Sequence, residues 1–286
     1  VVNNYARLPE VKLDVAGMGV AADSTLDPVY LRLIERESRA LDRALGRRFY
    51  SELATAEFDG NGRQELRFQH NTVEEWRGDL ISVTTLKYDS NGDGTFDTTL
   101  TANSDYWLDP ANPDTINEPA QRLLIPQGRS TAPQLSSWEN YPRRFQIVGK
   151  WGYSEESEDS GLTGTLDDAS DAAITASADA SSTIYPGDVL IIESEQVYVS
   201  AVATDQVTVT RGINGTTAAA HSSSTLSIRR YPLDIEEAVS MRVVAARWDN
   251  NQGIPMGESS FSQSGGRQVF AKYNELRNRY ARLVFV

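Results

Sequence analysis

The chain has 286 residues, 40% of them hydrophobic, no cysteine, two histidines and a formal net charge of −13. That length and apolar content can bury a core and suggest two folding units. The composition excludes disulfides, thiolate metal sites and cysteine nucleophiles. It leaves little room for histidine catalysis and argues against general duplex binding, which needs a basic face.

No apolar run approaches the length of a membrane span, and no basic stretch followed by an apolar one opens the chain, so no membrane partner is expected. A start at Val1 is compatible with processing. Charge is unevenly placed. Residues 153–230 hold 12 acids against 3 bases, whereas residues 231–286 hold 6 against 7, so an acidic module is attached to a nearly balanced body.

The first strong element is a helix. Asp27 reads as its N-cap, Pro28 suits its first turn and Gly46 its end. Tyr30, Leu33, Ile34, Leu41, Ala44 and Leu45 share one face, opposite Arg32, Glu35, Arg36, Arg39 and Arg43. From Ala54 to Tyr153 strands and turns take over. Phe58-Asp59-Gly60-Asn61-Gly62 reads as a hairpin tip before the alternating Gln64–Phe68. Leu80–Tyr88 is β-branched and runs into Asp89–Asp97, after which Thr98–Thr101 leads back. Residues 144–153 predict one more strand.

Residues 154–167 are acidic and free of aromatics, and read as a solvated linker. Short turn-bounded runs at 188–192, 196–200 and 206–211 then predict a small barrel or sandwich. Helix resumes at Asp234, with a capping box to Glu237 and a broad apolar surface from Ile235 to Trp248. After a Gly/Ser-rich loop at 250–266, a last helix sets Val269, Phe270, Tyr273, Leu276, Tyr280 and Leu283 on one stripe flanked by basic residues. The expected class is α+β. An N-terminal segment (1–26) precedes a discontinuous helical core with β-hairpins (27–153 and 231–286), and 154–230 form a linker and a small inserted all-β module.

Candidate chemistry is sparse. In D-S-N-G-D-G-T-F-D, Asp89, Asn91, Asp93, Thr95 and Asp97 fall where the first half of a calcium loop places oxygen ligands, with Gly94 at the bend. The twelfth position, which should close the shell with Glu, is Leu100, so Asp105 or Asp109 would have to supply it. The competing reading is a polar turn. His221, with Arg211 nearby, reads as tying down a long turn, and His70 as a loop residue. Asp167-Asp168 and Glu193 with Glu195 are acid pairs of the glycosidase type, but such pairs are common in an acidic chain. Trp76, Trp107, Trp138 and Trp151 read as a sugar platform or as core.

The order of the pieces is more telling. D-S-T-L-D-P-V-Y-L-R-L-I-E-R-E-S-R-A-L-D-R-A-L-G-R-R-F-Y is followed by the D-G-N-G tip, the strand into D-S-N-G-D-G, S-D-Y-W-L-D-P-A-N-P, R-R-F-Q-I-V-G-K-W-G-Y and P-L-D-I-E-E-A-V. This order resembles the head–tail connector (adaptor) proteins of tailed bacteriophages, over residues 5–153 and 231–286. In those proteins the W-G-Y strand leads quickly into the next helix, whereas here 78 residues separate Tyr153 from Pro232. Part of that stretch, Y-P-G-D-V-L-I-I-E-S-E-Q-V-Y-V-S-A-V with V-T-V-T-R-G-I-N-G-T-T-A-A-A-H, resembles a β module found repeatedly in phage structural proteins.

The resemblance implies a helical connector core and a structural virion protein, not an enzyme. It implies a homo-oligomeric ring in the neck, assembled in the host cytoplasm. Its partners would be the portal protein and a tail or stopper protein, with genomic DNA passing through without specific binding. No cofactor is implied, calcium at Asp89–Asp97 aside. Val269, Tyr273, Leu276, Tyr280 and Leu283 are expected to dock on the portal or a neighbouring subunit. The alternative is a calcium-dependent extracellular adhesin or carbohydrate-binding protein.

Overall fold

The computed structural model describes residues 3–17, 23–68, 78–111, 118–127, 134–251 and 274–280. Strand makes up 35% of the described residues and helix 24%, which corrects the expected helical connector core: the protein is mostly β. The reason is local. Many strands here are only three to five residues long, such as Glu65–Arg67 and Gln206–Thr210, too short for a period-2 pattern to announce them against two long amphipathic helices. Packing divides the chain into two compact units, residues 47–155 and residues 1–46 with 156–286.

The 47–155 unit carries two antiparallel sheets. Strands β1 (Glu52–Phe58), β3 (Leu80–Tyr88), β4 (Thr98–Leu100) and β7 (Phe145–Trp151) are ordered β1-β7-β3-β4. Strands β2 (Glu65–Arg67), β5 (Trp107–Asp109) and β6 (Arg122–Leu124) are ordered β2-β6-β5. Trp138, Phe145, Trp151, Leu80, Leu86 and Leu123 fill the core between them. The hairpin expected around 58–62 is not one. Strand β1 pairs with β7 and β2 with β6, so residues 59–64 carry the chain from one sheet to the other. By contrast β3 and β4 pair directly, Tyr88 opposite Thr98, and 89–97 is a hairpin tip.

In the other unit, helix α1 (Leu8–Gly17) precedes α2 (Asp27–Leu45), and a six-stranded barrel leads into α3 (Leu233–Asn251). Helix α2 ends where Gly46 takes φ +66° and donates its N–H to the Asp42 carbonyl, a left-handed conformation glycine adopts without cost. Asp27 begins the helix instead of capping it. Asp23 caps the preceding turn, and Asp27 pairs with Lys12. At the start of α3 Glu236 reaches back and accepts from the Tyr231 N–H at 2.9 Å.

The barrel comprises β8 (Ser157–Leu166), β9 (Ala173–Ala176), β10 (Val189–Ile192), β11 (Glu195–Ala203), β12 (Gln206–Thr210) and β13 (His221–Arg229). It closes in the order β10-β11-β12-β9-β8-β13. Closure removes free edges. The stretch read as a linker is therefore β8, a barrel strand whose first half is mostly exposed and so reads as solvated. Ile174, Leu190, Ile192, Val197, Val199, Val207 and Leu226 fill the interior. It is full enough that a Cβ on Gly164 would stand 2.5 Å from Ile174 and 2.8 Å from Leu226.

Candidate functional site

Three connections converge at one end of the four-stranded sheet: residues 59–64, 89–97 and 138–144. Their backbones hold one another. The Gly60 N–H donates to the Tyr141 carbonyl, those of Asn61 and Gly62 to the Trp138 carbonyl, and that of Asp89 to the Arg144 carbonyl. A Cβ on Gly60 would lie 1.5 Å from the Glu139 carbonyl oxygen, so this approach requires glycine. The Asp59 carboxylate accepts from the Arg143 N–H at 2.7 Å.

The tip at 89–97 is organised by Asp89, which is buried. Its two oxygens accept from the N–H groups of Gly92 at 2.6 Å and Gly94 at 2.9 Å. Burial by itself would raise the Asp89 pKa, but these donors and the Arg144 guanidinium outweigh it and hold the carboxyl below its ordinary range. Asp97 accepts from the N–H and hydroxyl of Ser90. Asp93 accepts from the Thr95 N–H and the Asn91 amide. Each carboxylate is thus spent on a local donor.

Arg144 stands at the base of this tip. Its guanidinium lies 3.7 Å from Asp89, donates to the Ser90 carbonyl at 3.1 Å and to Glu139 at 3.0 Å, and packs 5.0 Å from the centre of the Tyr141 ring. A fixed cation therefore stands beside Asp89 and Glu139. Among the described residues no group of three or more His, Asp or Glu side chains is placed to hold a metal. Above Arg144, Tyr141 is 60% exposed. The end of the sheet thus presents an aromatic ring on a braced base, and Asp59, Asn61 and Asp93 of the adjoining connections are also exposed.

A second polar centre lies in the barrel. The Glu195 carboxylate is fully buried. It accepts from Arg211 Nε and Nη2, from the N–H groups of Gly212 and Ala219 at 3.1 Å, and lies 2.9 Å from His221 Nε2. Burial opposes its ionisation, but Arg211, His221 and the two N–H groups prevail and lower its pKa to about 2. Arg211 also donates to the carbonyls of Asp168, Asp171 and Ala219. This geometry is a lock on the 211–221 turn. A glycosidase-type pair needs a second carboxylate facing a shared substrate space; Glu193 is exposed and bonds to Ser224, and Asp168 is engaged with Ser170.

The N-terminal residues make a third centre. Asn3 exchanges amide hydrogen bonds with Asn214 at 2.9 Å, and Asn4 donates to the Gly187 carbonyl. The Tyr5 hydroxyl donates to Asp42 at 2.6 Å, and its N–H to the Ser38 hydroxyl. Arg7 pairs with buried Asp188 and donates to the Thr183 carbonyl. Residues 3–7 therefore strap the barrel to α2, and Arg230, bonded to Glu10, Glu158 and Glu236, joins α1, β8 and α3.

Of the apolar stripe near the C-terminus, Leu276 and Tyr280 lie in a helical stretch at 274–280 and are buried against their own chain. The Tyr280 hydroxyl and Arg279 donate to Asp234 at 2.9 Å. Val269, Tyr273 and Leu283 lie outside the described residues, as do His70 and Trp76. Trp138 and Trp151 are buried core and Trp107 is half-buried, so these three form no exposed platform. Sequence reasoning missed Tyr141, Arg144, the strap and the role of Glu195. R-G-I-N-G-T-T is visible as a turn, but its acidic partner, 16 residues upstream of Arg211, carries no local signal.

Compared with protein-family models, curated proteins and solved structures, the chain finds no match in any of the three.

Proposed function

We propose that the protein is a structural virion subunit that associates with copies of itself into a ring between portal and tail of a tailed bacteriophage. The observation that carries this reading is the braced loop end of the 47–155 unit. Tyr and Arg are enriched among the few residues that carry most of the binding energy of protein interfaces. Here Tyr141 is exposed over a guanidinium whose own position is secured by four contacts. A braced loop end with an exposed aromatic ring has the anatomy of a docking surface.

The ordered likeness to connector proteins supports the same reading, and so does the use of buried charge. Glu195, Asp188 and Asp89 each close on donors that stabilise the fold. In the ring, the net charge of −13 suits a channel that passes DNA without gripping it, since an acidic protein repels phosphate.

Light scattering and negative-stain imaging of the purified chain test the proposal. Closed rings of uniform subunit number are expected at micromolar concentration. A monomer at every concentration, with no assembly on mixing with portal and tail proteins, would overturn it.

A further inference from the structure

We propose that Arg32 and Arg43, on the exposed edge of α2, receive the Asp93 loop end of a second copy of this chain. The inference rests on the self-association reading above. Helix α2 buries Tyr30, Ile34, Leu41 and Leu45, which fixes the direction of its opposite edge. On that edge Arg36 bonds to Glu37, while Arg39 bonds to Asp42 and the Asn3 carbonyl. Arg32 and Arg43 are exposed and make no ion pair among the described residues. Eleven residues apart on a helix, they stand roughly 16 Å from each other, on nearly one line. Two outward guanidinium groups at a fixed spacing suit an acidic partner.

The chain supplies that partner. Residues 57–64, 89–97 and 138–144 hold six carboxylates, Glu57, Asp59, Asp89, Asp93, Asp97 and Glu139, against the three arginines 63, 143 and 144. Arg143 is closed onto Glu57 and Arg144 onto Asp89 and Glu139, so the outward field of the loop end is negative. Asp93, at the tip, is exposed, and its bonds to Asn91 and Thr95 hold the carboxylate in place. A nucleic-acid partner is disfavoured, because only two cations on this edge are free to meet phosphate in a chain of net charge −13. A contact between unlike patches on successive copies is heterologous, the type that generates rings when the rotation closes.

The test uses complementary charge reversal in the full chain. One variant carries Arg32→Glu with Arg43→Glu; the other carries Asp93→Lys with Thr95→Lys. Each alone should self-associate roughly tenfold or more weakly than the wild type, since like charges then meet across the contact, and the arginine variant should keep the wild-type melting temperature. Mixed together, the two variants should assemble again in alternation. The arginine variant alters only exposed side chains, so it decides the matter even where the loop variant proves unstable. Wild-type assembly that both variants share overturns this contact and leaves the ring reading standing. A wild type that never assembles sinks the ring reading, and this inference with it. Binding of a duplex DNA probe that Arg32→Glu with Arg43→Glu abolishes would assign the edge to nucleic acid and also overturn the contact.

Discussion

Glu195 and Arg211 meet as a fork on a fork, Nε at 2.7 Å from one carboxylate oxygen and Nη2 at 2.6 Å from the other. The acid is fully buried and the guanidinium nearly so. This pair joins the start of β11 to the turn that follows β12, and His221 joins it from the start of β13. Removing one member of such a pair strands a charge in the interior. Glu195→Gln should therefore destabilise the barrel by about 3 kcal/mol, read as a lower urea midpoint at unchanged slope. A cost below about 1 kcal/mol would show the site is far wetter than its burial indicates.

The same carboxylate sets an acid limit. Its folded pKa, about 2, lies below the ordinary 4.5. Its contribution is therefore complete above pH 4.5 and is lost as pH falls from there towards 2. Wild-type melting temperatures should drop across that window more steeply than those of Glu195→Gln. Parallel curves for the two proteins would place the acid sensitivity elsewhere.

Gly60 is required by contact, not by torsion. With its Cβ position 1.5 Å from the Glu139 carbonyl oxygen, Gly60→Ala must push apart two of the three connections at the loop end. A loss of about 2 kcal/mol or more is expected, together with faster hydrogen exchange at the Gly62 N–H. Gly17→Ala, where nothing lies within 4 Å, serves as the control and should change stability by less than about 1 kcal/mol.

The Asp89 tip is balanced by Arg144, so calcium should add little. The melting temperature is expected to be the same in millimolar calcium as in chelator, because only metal that binds the folded state stabilises it. A clear rise that Asp93→Ala removes would establish the calcium reading instead. Arg144→Met should loosen the tip and cost about 2 kcal/mol, since it leaves the buried Asp89 without its guanidinium.

Tyr5→Phe removes only the hydroxyl that donates to Asp42 at 2.6 Å. It should cost about 1.5 kcal/mol, the range for a hydrogen bond to a charged group. The measurable sign is coupled loss of protection at the Tyr5 N–H and along β10, since residues 3–7 also bond to Gly187 and Asp188.

By itself the sequence determined the features whose causes lie within a few residues. Helix α2 follows from the spacing of Tyr30, Ile34, Leu41 and Leu45 and from a glycine where φ must be positive. The 89–97 tip follows from Asp and Gly between two β-branched runs, and the strands at 189–192 and 206–210 from short β-rich runs. Only the tertiary structure decided which strands pair and which charges meet. It sent β1 and β2 to different sheets, because Gly60 lets the chain pass against Glu139, 79 positions away. It drew Ser157–Leu166 into the barrel, because an outward strand face can be as polar as a linker when closure supplies its backbone partners. It set Arg7 on Asp188 and Asn3 on Asn214 across separations of 181 and 211 residues. Those contacts form only after the chain has closed on itself, and no local pattern of residue types encodes a partner that distant.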